Sequence, residues 1–274
     1  MEKLKEHKCF GGKVNFWQHY SVSTKTKMKF STFMPPGEIK GALIWLSGLT
    51  CTDENFITKA SAQKYLAEKQ MMVICPDTSP RGLDLPQEHE SYDFGSGASF
   101  YLNATTPGYR DHYRMYDYVA FEIYEILNTK FAAKNRISIA GHSMGGHGAL
   151  TIGLKEKDRF KSISAFSPIV NPSQIPWGQK AFKGYLGEDL NLWKAHDACE
   201  LVKNGITHKN LIMIDQGLND DFLNKQLFPE NFQGVCGSAG QKLELRMLDG
   251  YDHSYYFISS FIQDHIEFHL GFLK

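Results

Sequence analysis

Residues Arg136–Leu150 read RISIAGHSMGGHGAL. The first half is a short β-branched apolar run, as in a strand buried in a sheet. The second half, from Met144, carries small and apolar residues that suit a helix packed close to that sheet. Between them, Gly141-His142-Ser143-Met144-Gly145 fits the pattern G-x-S-x-G. The pattern alone is weak. A strand before it and a helix after it are the context that makes it a nucleophile elbow. In such a turn the serine backbone is strained, so that Oγ stands clear of the sheet. Side chains two residues to either side would collide, which calls for glycine at 141 and 145. The helix from Met144 turns the positive end of its dipole toward the place where an oxyanion would form. A plain strand-to-helix turn also uses small residues, so the reading depends on partners elsewhere in the chain.

The surrounding pattern supplies places for them. Segments 13–22 and 27–34 alternate and read as an antiparallel pair ending at Pro35-Pro36. GALIWLSG from Gly41, MMVICPD from Met71, FKSISAFSP from Phe160, LIMIDQG from Leu211 and KLELRMLDG from Lys242 read as further strands. ENFITKASAQKYLAEKQ from Glu54, the stretch Tyr113–Phe131 and the C-terminal segment read as helices. In the last, Ile258, Phe261, Ile262, His265 and Ile266 share a face. Strands alternating with helices give a mostly parallel central sheet, helices on both faces, and an α/β class. Residues 78–111 form a loop long enough to suggest function. Residues 171–208 read as a small cap-like insertion over a sheet edge, within a single domain spanning 1–274.

In sheets of this kind, sites lie at the carboxyl ends of the strands. An elbow serine takes its acid and then its histidine from later loops. After LIMIDQG come Asp220 and Asp221; after KLELRMLDG comes His253. Asp252 is too close to His253 to orient its ring, and Asp215, at a strand end, suits capping or pairing. The oxyanion donors expected are the Met144 N–H and, from the loop LSGLTCTDENF after the third strand, the Leu49 N–H, with Gly48 allowing the turn. His142 and His147 flank the serine but are directed away from its Oγ. His265 and His269, four apart, could suit a metal, but no third ligand is evident and packing is the preferred role.

Bulk properties set limits. The chain has 274 residues, 30 basic and 30 acidic side chains and no net formal charge, which gives no reason to expect nucleic acid or a charged membrane as partner. No apolar run is long enough to span a bilayer, and MEKLKEHKCFGG lacks a signal peptide's apolar core. Five scattered cysteines without a CxxC pair suit a reduced, cytoplasmic protein rather than a disulfide scaffold or a zinc site.

Taken together, LSGLTCTDENF, GHSMGGHGAL, NPSQIPWGQKAFKGYLG, IDQGLNDDFL and DGYDHSYYFISSFI resemble the S-formylglutathione hydrolase (esterase D) family over nearly the whole chain. The resemblance implies an α/β-hydrolase fold and a cytoplasmic serine thioesterase, commonly homodimeric and needing no cofactor. Its substrate would be a glutathione thioester. It also selects Asp220 over Asp221 as the acid beside Ser143 and His253, supports Leu49, matches a family cysteine at Cys51, and puts Trp177 and Lys180 near the site. Trp177, the lone tryptophan between two turns of the insertion, would wall a small acyl pocket. Cys51 is either a filler or the point where thiol reagents block the site. Lys180 and Arg81 are the cations considered for the glutathione carboxylates, although solvation is the plainer role for Arg81.

Overall fold

The structure, a computed structural model, describes residues 1–273. Its centre is the strand pair that the opening stretch requires. Strand β4 (Gly41–Leu46) lies parallel to β6 (Ile137–His142), with Ala42 opposite Ile137 and Leu46 opposite Gly141. Every residue of both strands is buried. The two faces are covered separately. Ala42, Ile44 and Leu46 pack into one apolar cluster with Ala149, Leu150 and Ile152. Leu43 and Trp45 pack into the other with Ile258, Ile262 and Ile266. A strand covered on both sides loses polar alternation, so its sequence is a continuous apolar run. Each large side chain buried this way contributes about 1.5–3 kcal/mol.

The full sheet has nine strands in the order β1-β2-β3-β5-β4-β6-β7-β8-β9. Strands β2 (Gly12–Ser21) and β3 (Thr26–Met34) form the expected antiparallel pair. From β5 (Met71–Pro76) through β4, β6, β7 (Ile163–Phe166), β8 (Ile212–Gly217) and β9 (Leu243–Leu248), neighbours are parallel. Strand β1 (Glu2–Cys9) was not expected from sequence. It pairs antiparallel with β2 at the sheet edge and has no buried residue. Its EKLKEHKC sequence therefore has no apolar face to reveal it. Lysine and glutamate along an edge strand also discourage a further strand from adding there.

The expected helix from Glu54 is two: α1 (Glu54–Lys59) and α2 (Gln63–Lys69), interrupted at Ser61, whose φ is +55°. Helices α3 (Met115–Asp117) and α4 (Tyr124–Lys130) are joined by a π-helical turn, Tyr118–Ile123. Helix α5 (Met144–Lys155) follows the elbow, and α10 (Tyr255–Leu270) closes the chain.

The segment 171–208 folds as α6 (Pro176–Leu186), α7 (Leu190–Lys194) and α8 (Ala198–Lys203). Helix α8 packs on α5 and on α9 (Pro229–Ala239), and α6 meets the long loop 78–111. Tyr185 carries much of that contact. Its hydroxyl accepts from the Gly95 N–H (2.8 Å) and donates to the Ala98 carbonyl (3.0 Å), and its ring stacks on Phe94 at 4.5 Å. Buried Glu88 ties the loop together by accepting from the Tyr113 hydroxyl, the Ser96 hydroxyl and the Leu85 N–H. The long loop is thus an ordered wall above the carboxyl ends of the strands. Among the described residues, no helix is long and apolar enough to cross a membrane, and all five cysteines are free thiols.

Candidate active site

Ser143 sits between β6 and α5 with φ +58° and ψ −119°, a region that costs a non-glycine residue about 1–3 kcal/mol. The conformation is held from several sides. The Ser143 N–H donates to the Phe166 carbonyl (3.0 Å), and its carbonyl accepts from Ile169 (3.2 Å) and His147 (3.0 Å). The flanking glycines are sterically required. A Cβ on Gly141 would lie 2.1 Å from the Gly145 oxygen, and one on Gly145 would lie 2.0 Å from the Leu46 oxygen. Backbone stands against backbone at both points.

Asp220 and His253 arrive from the loops after β8 and β9. His253 Nδ1 lies 2.5 Å from Asp220 Oδ2. The same oxygen accepts from Gln216 Nε2 (3.2 Å), and Oδ1 accepts from the Phe222 N–H (2.8 Å). Burial alone would raise the Asp220 carboxyl. The hydrogen bond and charge of His253, with the Phe222 and Gln216 donors, outweigh it and hold the group below the usual carboxylate range. Asp220 is therefore an ionised buried acceptor that fixes His253 Nδ1 as the protonated nitrogen and frees Nε2. Asp221, by contrast, is exposed. His253 and Ser143 line one cleft of about 330 Å³. They form no hydrogen bond to each other, and catalytic contacts of this type commonly tighten when substrate binds.

Two backbone amides beside Ser143 and Gly48 have no partners among the described residues. Met144 opens α5, so its N–H has no acceptor within the helix. The Leu49 N–H is likewise unbonded, although its neighbours Thr50 and Cys51 donate to Gly97 and Gly48. Gly48 does more than permit a turn. A Cβ there would stand 3.2 Å from Ser143 Cβ and 3.3 Å from His142 Nδ1, so glycine lets the loop approach the serine.

Aromatic rings wall the cleft. Trp177 lies 4.8 Å from Phe222, and its indole N–H donates to the Tyr92 hydroxyl (3.2 Å). Phe222 stands edge-on to His253 at 5.0 Å. Sequence reasoning had identified Trp177 but missed Tyr92 and Phe222. Phe222 had a usable signal, two residues past the acid; Tyr92 in the long loop had none. Cys51 lines the cleft, and burial pushes its thiol pKa up, so it is no ready thiolate.

Several expected residues sit elsewhere. Lys180 does not line the cleft; its ammonium is held by Asp93 (2.5 Å) and Ser91 (2.8 Å). Arg81 is bound to Asp77 and to the Cys51 carbonyl (2.8 Å). His142, set aside on sequence, enters the cleft wall with its ring 4.4 Å from that of His253. Burial, with the neighbouring imidazole, keeps His142 neutral. His147 packs away from the cleft and bonds the Phe100 carbonyl (3.0 Å). His265 and His269 are both fully buried. His269 uses its two ring nitrogens on Ser162 (2.7 Å) and Ser164 (2.8 Å), and His265 Nδ1 meets Ser164 (2.8 Å). Asp215 is taken by a bidentate pair with Arg246, 2.6 Å at each oxygen.

Comparison with known proteins agrees with this fold. The family model described as "Putative esterase" matches residues 21–268. S-formylglutathione hydrolase of Rattus norvegicus is 49% identical over 100% of this chain and 99% of its own length. The Mus musculus protein of that name is 48% identical over the same shares. The solved S-formylglutathione hydrolase of Agrobacterium tumefaciens superposes with a TM-score of 0.97 at 44% identity, covering 100% of both chains.

Proposed function

This chain belongs to the putative-esterase family, among its S-formylglutathione hydrolases, and from that premise we propose that it hydrolyses S-formylglutathione to formate and glutathione through Ser143, His253 and Asp220. The observation that carries the reading is the 2.5 Å bond from His253 Nδ1 to buried Asp220, in the cleft that also holds Ser143 in its strained turn.

The steps follow from the groups present. His253 Nε2 takes the Ser143 proton as Oγ attacks the formyl carbon. Asp220 holds the imidazole in the required tautomer and stabilises its cation. The Leu49 and Met144 amides receive the oxyanion; one such donor is worth about 10²–10³ in kcat. The tetrahedral adduct collapses, the carbon–sulfur bond breaks and glutathione leaves as thiolate or thiol. A thiolate leaves readily, so generating the alkoxide is the harder half of the step. Water, deprotonated by His253, then attacks the formyl-Ser143 ester and releases formate. Trp177, with Tyr92 and Phe222, would wall the acyl side against bulky groups, and short acyl esters would be side substrates.

The reading extends to a cytoplasmic homodimer that acts in formaldehyde detoxification without a cofactor. It takes residues 1–274 as one domain, with 171–208 as a cap-like wall of the site. The test is S-formylglutathione hydrolysis by the wild type and Ser143→Ala, beside a series of p-nitrophenyl esters. The account expects the thioester to be strongly preferred and Ser143→Ala to lose about 10⁴-fold or more in kcat. A preference for long or aromatic esters would make the chain a general carboxylesterase instead.

A further inference from the structure

The cleft around Ser143 has an unusual charge content. Its lining contains no carboxylate and a single lysine, Lys59. The cations that sequence suggested for substrate are already neutralised, Lys180 by Asp93 and Arg81 by Asp77. Lys59 forms no ion pair among the described residues, although fifteen other lysines, arginines and histidines do.

Its placement is set by the fold. Helix α1 is pinned by Phe56 and Ile57, both buried, and Phe56 stacks on Trp45 at 4.1 Å. Asn55 and Lys59 are four apart, so they share the opposite side of the helix, and both line the cleft. The acidic start of the helix, Asp53 and Glu54, lines a different cavity, with Arg81 and Lys29. Lys59 Nζ lies 5.9 Å from the centroid of the Tyr255 ring, which holds it at the mouth. Asp252, on the neighbouring turn, is occupied by the Ser254 N–H (3.0 Å) and hydroxyl (2.6 Å). A second hollow, bounded by Lys59, Ser254, Tyr255 and exposed Tyr256, continues outward from the cleft.

Glutathione is a tripeptide with two carboxylates and one ammonium. With the formyl group at Ser143, its peptide arms must leave by the open side of the cleft. We propose that Lys59 is the specificity-determining cation of this enzyme, binding a carboxylate of the glutathione leaving group in the hollow between Tyr255 and Tyr256. This assignment rests on the S-formylglutathione reading above. An exposed lysine meeting one carboxylate gives a modest but measurable gain, and part of it comes as faster encounter at low salt.

The test compares two formyl thioesters: S-formylglutathione, and S-formyl-N-acetylcysteamine, which has no charge. The readout is the ratio of their kcat/KM values in the wild type, Lys59→Met, Lys59→Arg and Lys59→Glu. Taking a ratio cancels any general damage to the catalytic centre. The ratio should fall about three- to tenfold in Lys59→Met and further in Lys59→Glu, and return in Lys59→Arg. The loss should appear mainly in KM and shrink at high salt. If the wild type prefers S-formylglutathione and all variants keep that preference, the Lys59 assignment is wrong while the substrate reading stands. If the wild type shows no preference for the glutathione thioester, the substrate reading fails and the assignment goes with it.

Discussion

Alanine at position 145 would add a single methyl carbon at the most crowded point of the elbow. That carbon would lie 2.0 Å from the Leu46 oxygen, 2.4 Å from the Leu46 carbonyl carbon and 2.6 Å from the Ser47 oxygen. Contacts of a Cβ under 3.0 Å essentially do not occur, so the backbones must part by about 1 Å. Strand β4 cannot give way, because β5 and β6 are bonded to its two sides. The start of α5 must move instead, taking Ser143 and the Met144 amide with it. A displacement of about 1 Å at a reacting centre costs about 10²-fold in rate. Overpacking of this kind costs about 1–3 kcal/mol of stability. Gly234→Ala is the control. It lies inside α9 with nothing within 4 Å of the added carbon, and should gain about 0.5–1 kcal/mol. Urea unfolding and kcat on p-nitrophenyl acetate would be measured for both variants. If Gly145→Ala kept its stability and its kcat to within about twofold, the argument that the glycines exist to set the serine would be refuted.

Further outcomes follow from the same geometry. Asp220→Asn should lower kcat about 10⁴-fold by leaving His253 in the wrong tautomer, while Asp221→Asn, at an exposed position, should change little. On the proposed role of Trp177, whose ring packs on Phe222 in the cleft wall, Trp177→Ala should raise kcat/KM for longer acyl esters relative to acetate; an unchanged chain-length profile would remove Trp177 from that role. Burial, with Asp77 and Glu54 nearby, pushes the Asp53 carboxyl up to about 7. The folded chain then keeps a proton that the unfolded chain releases, so stability falls as pH rises from about 4 to about 7 and stays lower above that. Asp53→Asn should remove this slope and stabilise the protein at alkaline pH by roughly 1–3 kcal/mol, as read from urea midpoints across pH.

The parts of the fold legible in sequence share one physical cause. Strands β4 to β8 are buried on both faces, and continuous apolar runs betray them. Strand β1 has no buried face, so nothing in EKLKEHKC distinguished it from a charged tail. The break at Ser61 falls in residues of ordinary helix propensity and is set by packing of α1 and α2 under β3 and β5. In the site, chain order and loop position were enough to bring Ser143, Asp220 and His253 to attention. Choosing between Asp220 and Asp221 depends on which carboxylate the loop turns inward, which adjacent positions do not reveal. Lys180 was expected near the site because the resemblance through PWGQKAF put it there beside Trp177. In the structure Asp93 from the long loop takes the lysine, a partner that the sequence of α6 does not reveal. Lys59 escaped notice because its role depends on a groove formed with Tyr255 and Tyr256, about two hundred positions later in the chain.

The most direct measurement of the central claim is the position of a covalent adduct. The folded protein is treated with a fluorophosphonate, digested and sequenced by mass spectrometry. The account predicts one adduct, on the peptide holding Ser143, absent in Ser143→Ala and formed far more slowly in Asp220→Asn. An adduct on Cys51 or any other residue, or none on the folded wild-type protein, would contradict it.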